Sequence, residues 1–169
     1  VNQNEERVML IVIPTYKRNN CLKWVLQSLI QCRTDAIPEQ IRVVVVNNYP
    51  PAASDIEEIV SHYRSDQRFC WEILYRKESL HPANNWYSAI FEKALKDEIV
   101  FINSDDDLFT PESLEIRYQE IIRSDGDLLL SKLGPTIFFH ENAERILFPH
   151  EQLKVTFQAP IKLEVDTLE

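Results

Sequence analysis

Six consecutive apolar residues, Val8 to Ile13, run directly into Pro14 without one polar position among them. A strand with one wet face alternates apolar and polar side chains; an unbroken run has the pattern of a strand buried on both faces, as in a parallel sheet. The rest of the chain supplies the connections such a sheet needs. After the polar turn Thr15 to Asn20, Leu22, Val25, Leu26, Leu29 and Ile30 recur at helical spacing, predicting an amphipathic helix to about Arg33. Ile41 to Val46 is a second β-rich run. Ile56, Ile59, Val60 and Tyr63 form another helical stripe, and Trp71 to Tyr75 a third strand. Pro82 opens a helix with Trp86, Ala89, Ile90 and Ala94 on one face and Trp86 in the core, and Ile99 to Ile102 is a fourth strand. Thr110-Pro111-Glu112 then combines an N-cap, a first-turn proline and an acid at the positive end of the helix dipole. Leu114, Tyr118, Ile121 and Ile122 supply the buried face of that helix and Gly126 its stop.

Strands alternating with helices to about residue 130 define an α/β fold, a mainly parallel sheet with helices on both faces. Beyond Asp127 the pattern weakens. Leu128 to Leu130, Thr136 to Phe139 and Ile146 to Phe148 read as short strands, and Val155 to Glu169 has no assignment. No repeat or linker interrupts the 169 residues, so one domain is expected, with residues 1–131 as its ligand-binding core.

Charge and cysteine usage narrow the partners. With 18 basic and 27 acidic side chains the net charge is −9, which disfavours nucleic acid and anionic membrane surfaces. Cys21, Cys32 and Cys70 are an odd number without metal-ligand spacing and read as reduced packing residues. The first seven residues are polar and acidic, and no stretch approaches the length of a membrane span. The expected location is cytoplasmic, with peripheral association to a membrane left open.

In open α/β sheets ligands sit beyond the carboxyl ends of the strands. The residues there are Pro14-Thr15-Tyr16-Lys17-Arg18, Asn47-Asn48-Tyr49-Pro50 and Asn103 to Asp107. They combine an aromatic and amides suited to a base and ribose, cations suited to phosphate, and carboxylates suited to a divalent ion. Asp105, Asp106 and Asp107 repel one another at neutral pH unless a cation is present, and an oxygen-only cluster suits Mg²⁺ or Mn²⁺ completed by diphosphate oxygens and water. The competing reading is a solvated acidic turn that caps the next helix. An EF-hand counted from Asp105 fails, because Thr110 and Ile116 stand where glycine and glutamate are needed. With only Gly126 and Gly134 in the chain, a glycine-rich dinucleotide site or P-loop is excluded.

Val8 to Arg18 closely resembles the opening of family 2 glycosyltransferases, whose first strand runs into a Pro-Thr-Tyr-Asn-Arg-like turn. Ile41 to Asn48 resembles the family's second strand, and Phe101 to Leu114 the stretch around its Asp-x-Asp motif. The resemblance covers roughly residues 8 to 131. It implies a GT-A fold that binds a nucleotide-activated sugar through Mn²⁺ or Mg²⁺ and transfers the sugar to a glycan, lipid or protein hydroxyl, with inversion. Carried over by position, Pro14, Thr15, Tyr16 and Arg18 belong to the donor site, with Thr15 and Tyr16 against the base. Asp105 lies near the ribose or sugar, Asp106 is the principal metal ligand, and Asp107 orients the sugar or only starts the next helix. Arg76 and Asn85 stand where the family has donor-contacting residues, or in a solvated loop.

The chain departs from the family at two places. Asn47 and Asn48 replace the usual aspartates after the second strand, so uracil recognition through an acidic acceptor is no longer implied, although an asparagine carbonyl can still accept. Ser104 occupies the first usual acidic position of the Asp-x-Asp motif. The family's general base is not identifiable: Glu141, Glu144 and Asp166 lie in no recognisable context, and His140 and His150 are open to surface or late metal-ligand roles. The expectation is a chain truncated before its acceptor-binding portion. The alternative is a non-catalytic nucleotide-sugar-binding module or inactive relative.

Overall fold

A computed structural model describes residues 9–37, 41–95, 98–123, 129–130 and 161–162. The elements follow the expected alternation: β1 (Met9–Thr15), α1 (Asn19–Leu29), β2 (Ile41–Asn47), α2 (Ala53–Ser61), β3 (Phe69–Tyr75), α3 (Pro82–Lys93), β4 (Ile99–Ile102) and α4 (Ser113–Arg123). A short antiparallel pair, β5 (Leu129–Leu130) with β6 (Ile161–Lys162), closes the list. The chain divides after Glu115 into two compact units. The first holds a four-stranded parallel sheet in the order β3-β2-β1-β4.

The apolar run of β1 is buried along its whole length because it is central and covered on both faces. Side chains alternate across a strand, so Leu10 and Val12 share one face with Val44 and Val46 and pack on Ala89 of α3. Ile11, Ile13, Val43 and Val45 point the other way and are fully buried too. Each such side chain removed from water contributes about 1.5–3 kcal/mol, which explains why a strand with no polar position is stable only here. Pro14 is tolerated inside the central strand for a local reason. The Val12 carbonyl accepts from Asn103 on the β4 side and the Thr15 carbonyl from Asn48 on the β2 side, so Pro14 faces β4. Pairing with β4 has ended at Val12, and the missing proline N–H breaks no ladder there.

Several expectations need correction. α1 stops at Leu29 rather than near Arg33, because Gln31 and Cys32 tighten into bonds to Ser28 and Leu29 and the Arg33 N–H turns away to the Pro111 carbonyl at 2.7 Å. α4 begins at Ser113; the Thr110 carbonyl accepts from both the Ser113 N–H and its hydroxyl, so Thr110 to Glu112 form the preceding turn. Trp86 is 38% exposed, not in the core. The buried line of α3 runs through Asn85 and Ala89 instead, and a polar Asn85 was not counted in the apolar periodicity. Ile122 is 46% exposed, while Leu114 and Tyr118 are buried as expected. Of the cysteines only Cys32 is buried; Cys70 is exposed. Gly126, the runs Thr136 to Phe139 and Ile146 to Phe148, and the late acids and histidines lie outside the described residues. No helix among the described residues is long and apolar enough to cross a membrane.

Candidate functional site

The strand order creates a crevice. β1 leads outward to β2 and β3 on one side, and the chain then returns to lay β4 on the other side of β1, so the carboxyl ends of β1 and β4 flank a topological switch point. Register decides which residues meet there. Thr15 is level with Asn47 and Asn47 with Tyr75, so three strands end together. β4 ends with Ile102 level with Val12, which leaves the following residues to run beside Ile13, Pro14 and Thr15. Asp105 thereby reaches Thr15, whose hydroxyl donates to the Asp105 carboxylate at 2.8 Å.

Asp105 is 4% exposed. Burial pushes its carboxyl above the usual carboxylate range, while the Thr15 hydroxyl, the Arg18 charge and the Tyr16 backbone N–H pull it back towards ionisation. Arg18 supplies the facing charge: one guanidinium nitrogen, Nη1, lies 3.2 Å from Asp105 Oδ1 and also bonds Asp106 Oδ2. The Asp105 charge in turn holds the guanidinium pKa above its ordinary value. The side chains of Arg18 and Asp106 are about half exposed, 51% and 50%. Ser104 donates to the other Asp106 oxygen. The turn is stapled from below by buried Asn103, whose Nδ2 donates to the carbonyls of Ser104 at 2.9 Å and Asp107 at 2.8 Å. The Asp107 side chain lies on the exposed side of this turn.

Beside this network Tyr16 and Tyr49 meet edge to face with centroids 5.6 Å apart. The Lys17 ammonium lies 4.5 Å from the Tyr49 ring centroid and 5.2 Å from that of Tyr16. Lys17 has φ 58°, a left-handed conformation that costs a side chain with Cβ and persists where the surroundings impose it. Lys17 and Tyr49 were named among the strand-end residues but given no individual role; their signal was adjacency to the two strand ends.

The other strand-end candidates are engaged by neighbouring protein groups. Asn48 is 4% exposed and both ends of its amide are engaged by Leu80, the carbonyl accepting from Leu80 N–H and the Nδ2 donating to Leu80 O, each at 2.8 Å. It therefore fixes the loop before α3. Asn47 accepts the Tyr49 N–H at 3.0 Å, while its Nδ2 is buried without a hydrogen-bond partner. Arg76 is turned inward, donating to Asn85 Oδ1 at 2.9 Å, Ser88 Oγ at 2.8 Å and Glu92 at 2.6 Å, so it and Asn85 tie the end of β3 to α3. Pro14 is buried within β1.

No group of three or more His, Cys, Asp or Glu side chains among the described residues converges into a metal cage. The donor set fits a different kind of site. Mg²⁺ and similar hard ions are commonly held by one or two carboxylates, with phosphate oxygens and water completing the shell. The half-exposed Asp106 carboxylate beside the held Asp105 meets that requirement.

A parallel sheet with an acidic turn at its switch point defines an open α/β fold. Residues 10–149 match the family described as Glycosyl transferase family 2, and the chain belongs to that family. Among solved structures it is similar to S. aureus TarS 1–349 in complex with UDP, at 20% identity and TM-score 0.57 over 72% of this chain and 33% of that one. The complex of the same fragment with UDP-GlcNAc gives 20% identity and TM-score 0.57 over 72% and 32%. A longer S. aureus TarS structure gives 20% identity and TM-score 0.54, with 69% of this chain aligned to 19% of that one. The fold is GT-A, Rossmann-like, and the chain spans about a third of the TarS fragment it matches. No curated protein sequence matches the chain.

Proposed function

We propose that the chain carries the donor-binding part of a glycosyltransferase that moves a sugar from a nucleoside diphosphate to an acceptor hydroxyl with inversion, in a divalent-metal-dependent reaction. The observation that carries the reading is the closure of Thr15 and Arg18 from the β1 end onto Asp105 and Asp106 from the β4 end, across 90 residues of sequence. A bound Mg²⁺ or Mn²⁺ ion would supply charge neutralisation to the departing diphosphate. Asp106 would hold that ion, because its carboxylate is half exposed and lies beside the buried Asp105 on the Arg18 nitrogen. Asp105, fixed by Thr15, the Tyr16 backbone and Arg18, would position the ribose or sugar, with Asp107 at the exposed edge of the same turn. Tyr16 and Tyr49 would flank the base, and Asn47 has a buried donor beside them. Asn48, Arg76 and Asn85 would act by holding the loop before α3 in place. The acceptor, whether glycan, lipid or protein, and the base that takes its proton are left unassigned. The TarS complexes with UDP and UDP-GlcNAc support the nucleotide-sugar class through shared fold.

A thermal-shift panel of UDP and GDP, each with Mn²⁺ and with chelator, tests the reading, since a ligand selective for the native state raises its stability. Stabilisation by nucleotide with Mn²⁺ alone is expected, and equal stabilisation in chelator would remove the metal bridge. Hydrolysis of a UDP- or GDP-sugar, or its transfer to any acceptor, separates an enzyme from a binding module with no turnover.

A further inference from the structure

Resting on the donor-site reading above, we propose that Arg18 is a tethered stand-in for the divalent cation, holding Asp105 and Asp106 until a metal arrives and then passing its guanidinium to the diphosphate. Adjacent carboxylates repel one another, and in the structure Arg18 places a positive charge between two of them, Asp105 and Asp106. The contact is made so that it can be undone. A single nitrogen is shared between two carboxylates, and both Arg18 and Asp106 side chains are about half exposed, at 51% and 50%. An ion pair of that exposure is worth no more than about fivefold in an equilibrium constant. Asp105, at 6% side-chain exposure, keeps the Thr15 hydroxyl when Arg18 leaves. Of the other cations near the strand ends, Lys17 lies over the two tyrosine rings and Arg76 is bound to Asn85, Ser88 and Glu92 of α3.

The displaced group stays close. Arg18 is the residue that caps α1, so its backbone is fixed while its side chain swings. A guanidinium presents a planar fork of donors that matches phosphate oxygens as well as it matches carboxylates. Metal and diphosphate would then assist each other, the metal freeing the arginine and the diphosphate receiving it. The assistance is reciprocal, because coupling between two binding events is the same in either order.

The test is Mn²⁺ affinity measured without nucleotide, by the electron paramagnetic resonance signal of free Mn²⁺, on wild type and Arg18→Ala, followed by UDP titration at saturating Mn²⁺. Arg18→Ala should bind Mn²⁺ alone roughly two- to fivefold more tightly, bind UDP more weakly, and lose most of the UDP-induced tightening of Mn²⁺. A purely structural role for Arg18 would move Mn²⁺ affinity the other way. If Arg18→Ala does not fold, Arg18→Gln serves: its neutral amide removes the charge from the carboxylates, and the same directions with smaller changes are expected. Unchanged or weaker Mn²⁺ affinity in the variant, while Mn²⁺ still supports UDP binding by wild type, overturns the stand-in and leaves the donor site intact. No Mn²⁺-dependent nucleotide binding by wild type overturns both.

Discussion

Two arginine–carboxylate pairs at opposite ends of one sheet show how the same chemistry can be closed or left open. Arg42 lies near the start of β2 and Glu98 immediately before β4. There Nη1 donates to both Glu98 oxygens, at 2.9 and 2.8 Å, and to the Lys93 carbonyl at 3.2 Å, while the Leu95 N–H fills the carboxylate further at 2.8 Å. The Glu98 side chain has no solvent exposure. At the carboxyl ends, Arg18 also uses Nη1, but its two acceptors belong to different residues and one of them is half exposed. The amino-end pair is a saturated structural clamp. The carboxyl-end group retains accessible carboxylate and guanidinium atoms, which a structural clamp does not need.

Breaking the closed pair should cost most. Glu98→Ala strands the Arg42 guanidinium and the Leu95 N–H, and should lower unfolding free energy by about 3 kcal/mol in urea denaturation without changing the size of nucleotide-induced stabilisation. A loss below about 1 kcal/mol would mean the clamp is not closed in solution. At the open end Asp106→Asn should do the reverse. Stability without ligand should stay within about 0.5 kcal/mol, because the site is a solvated surface. The stabilisation by nucleotide with Mn²⁺, about 2.7 kcal/mol at a hundred times Kd, should disappear in calorimetric or thermal titration. Retention of that stabilisation would move the metal ligand away from Asp106.

Asn48→Asp probes the scaffold between the two ends. A carboxylate oxygen would replace the donor that faces the Leu80 carbonyl, costing about 2 kcal/mol at neutral pH. Protonation restores a donor, so the folded form would hold the new carboxyl above its ordinary pKa and stability should recover as pH falls. A variant as stable as wild type at pH 7, with a changed preference between UDP and GDP, would instead put Asn48 at the base.

The smallest effect belongs to the third strand end, where the Tyr75 hydroxyl donates to exposed Glu57 at 2.6 Å. Burial, then the Glu57 hydrogen bond, pushes the Tyr75 pKa from 10.0 up to about 12. The unfolded chain then gives up this proton before the folded one does, so the contribution is present below about pH 10 and lost as pH rises through about 12. Tyr75→Phe should be indistinguishable from wild type at pH 7 and should lack this part of the alkaline loss in a stability–pH profile. An unaltered profile would show that the contact is broken by solvent.

The legible part of the molecule was written locally. β1, β2 and β4 are runs of adjacent apolar residues, and α1 and α2 carry their apolar side chains at helical spacing; burial makes both patterns obligatory, so neighbours in sequence suffice to declare them. The acidic turn after β4 and the polar residues after β1 and β2 were equally visible as strand-end residues. Where the polar side chains point was not. Nothing within Ile99–Ile102 states that this strand lies beside β1, or that Ile102 stops level with Val12, yet that register alone carries Asp105 to Thr15 and Arg18. The engagement of Asn48 by Leu80, 32 residues away, and the inward turn of Arg76 onto Asn85 were likewise invisible, as was the exposure of Trp86. Sequence by itself determined the elements, because each displays the period of its apolar side chains within a few adjacent residues. Only the tertiary structure decided the strand order and with it the partner of each charge, because those depend on which distant surfaces are buried together and on a register set by packing across the whole sheet.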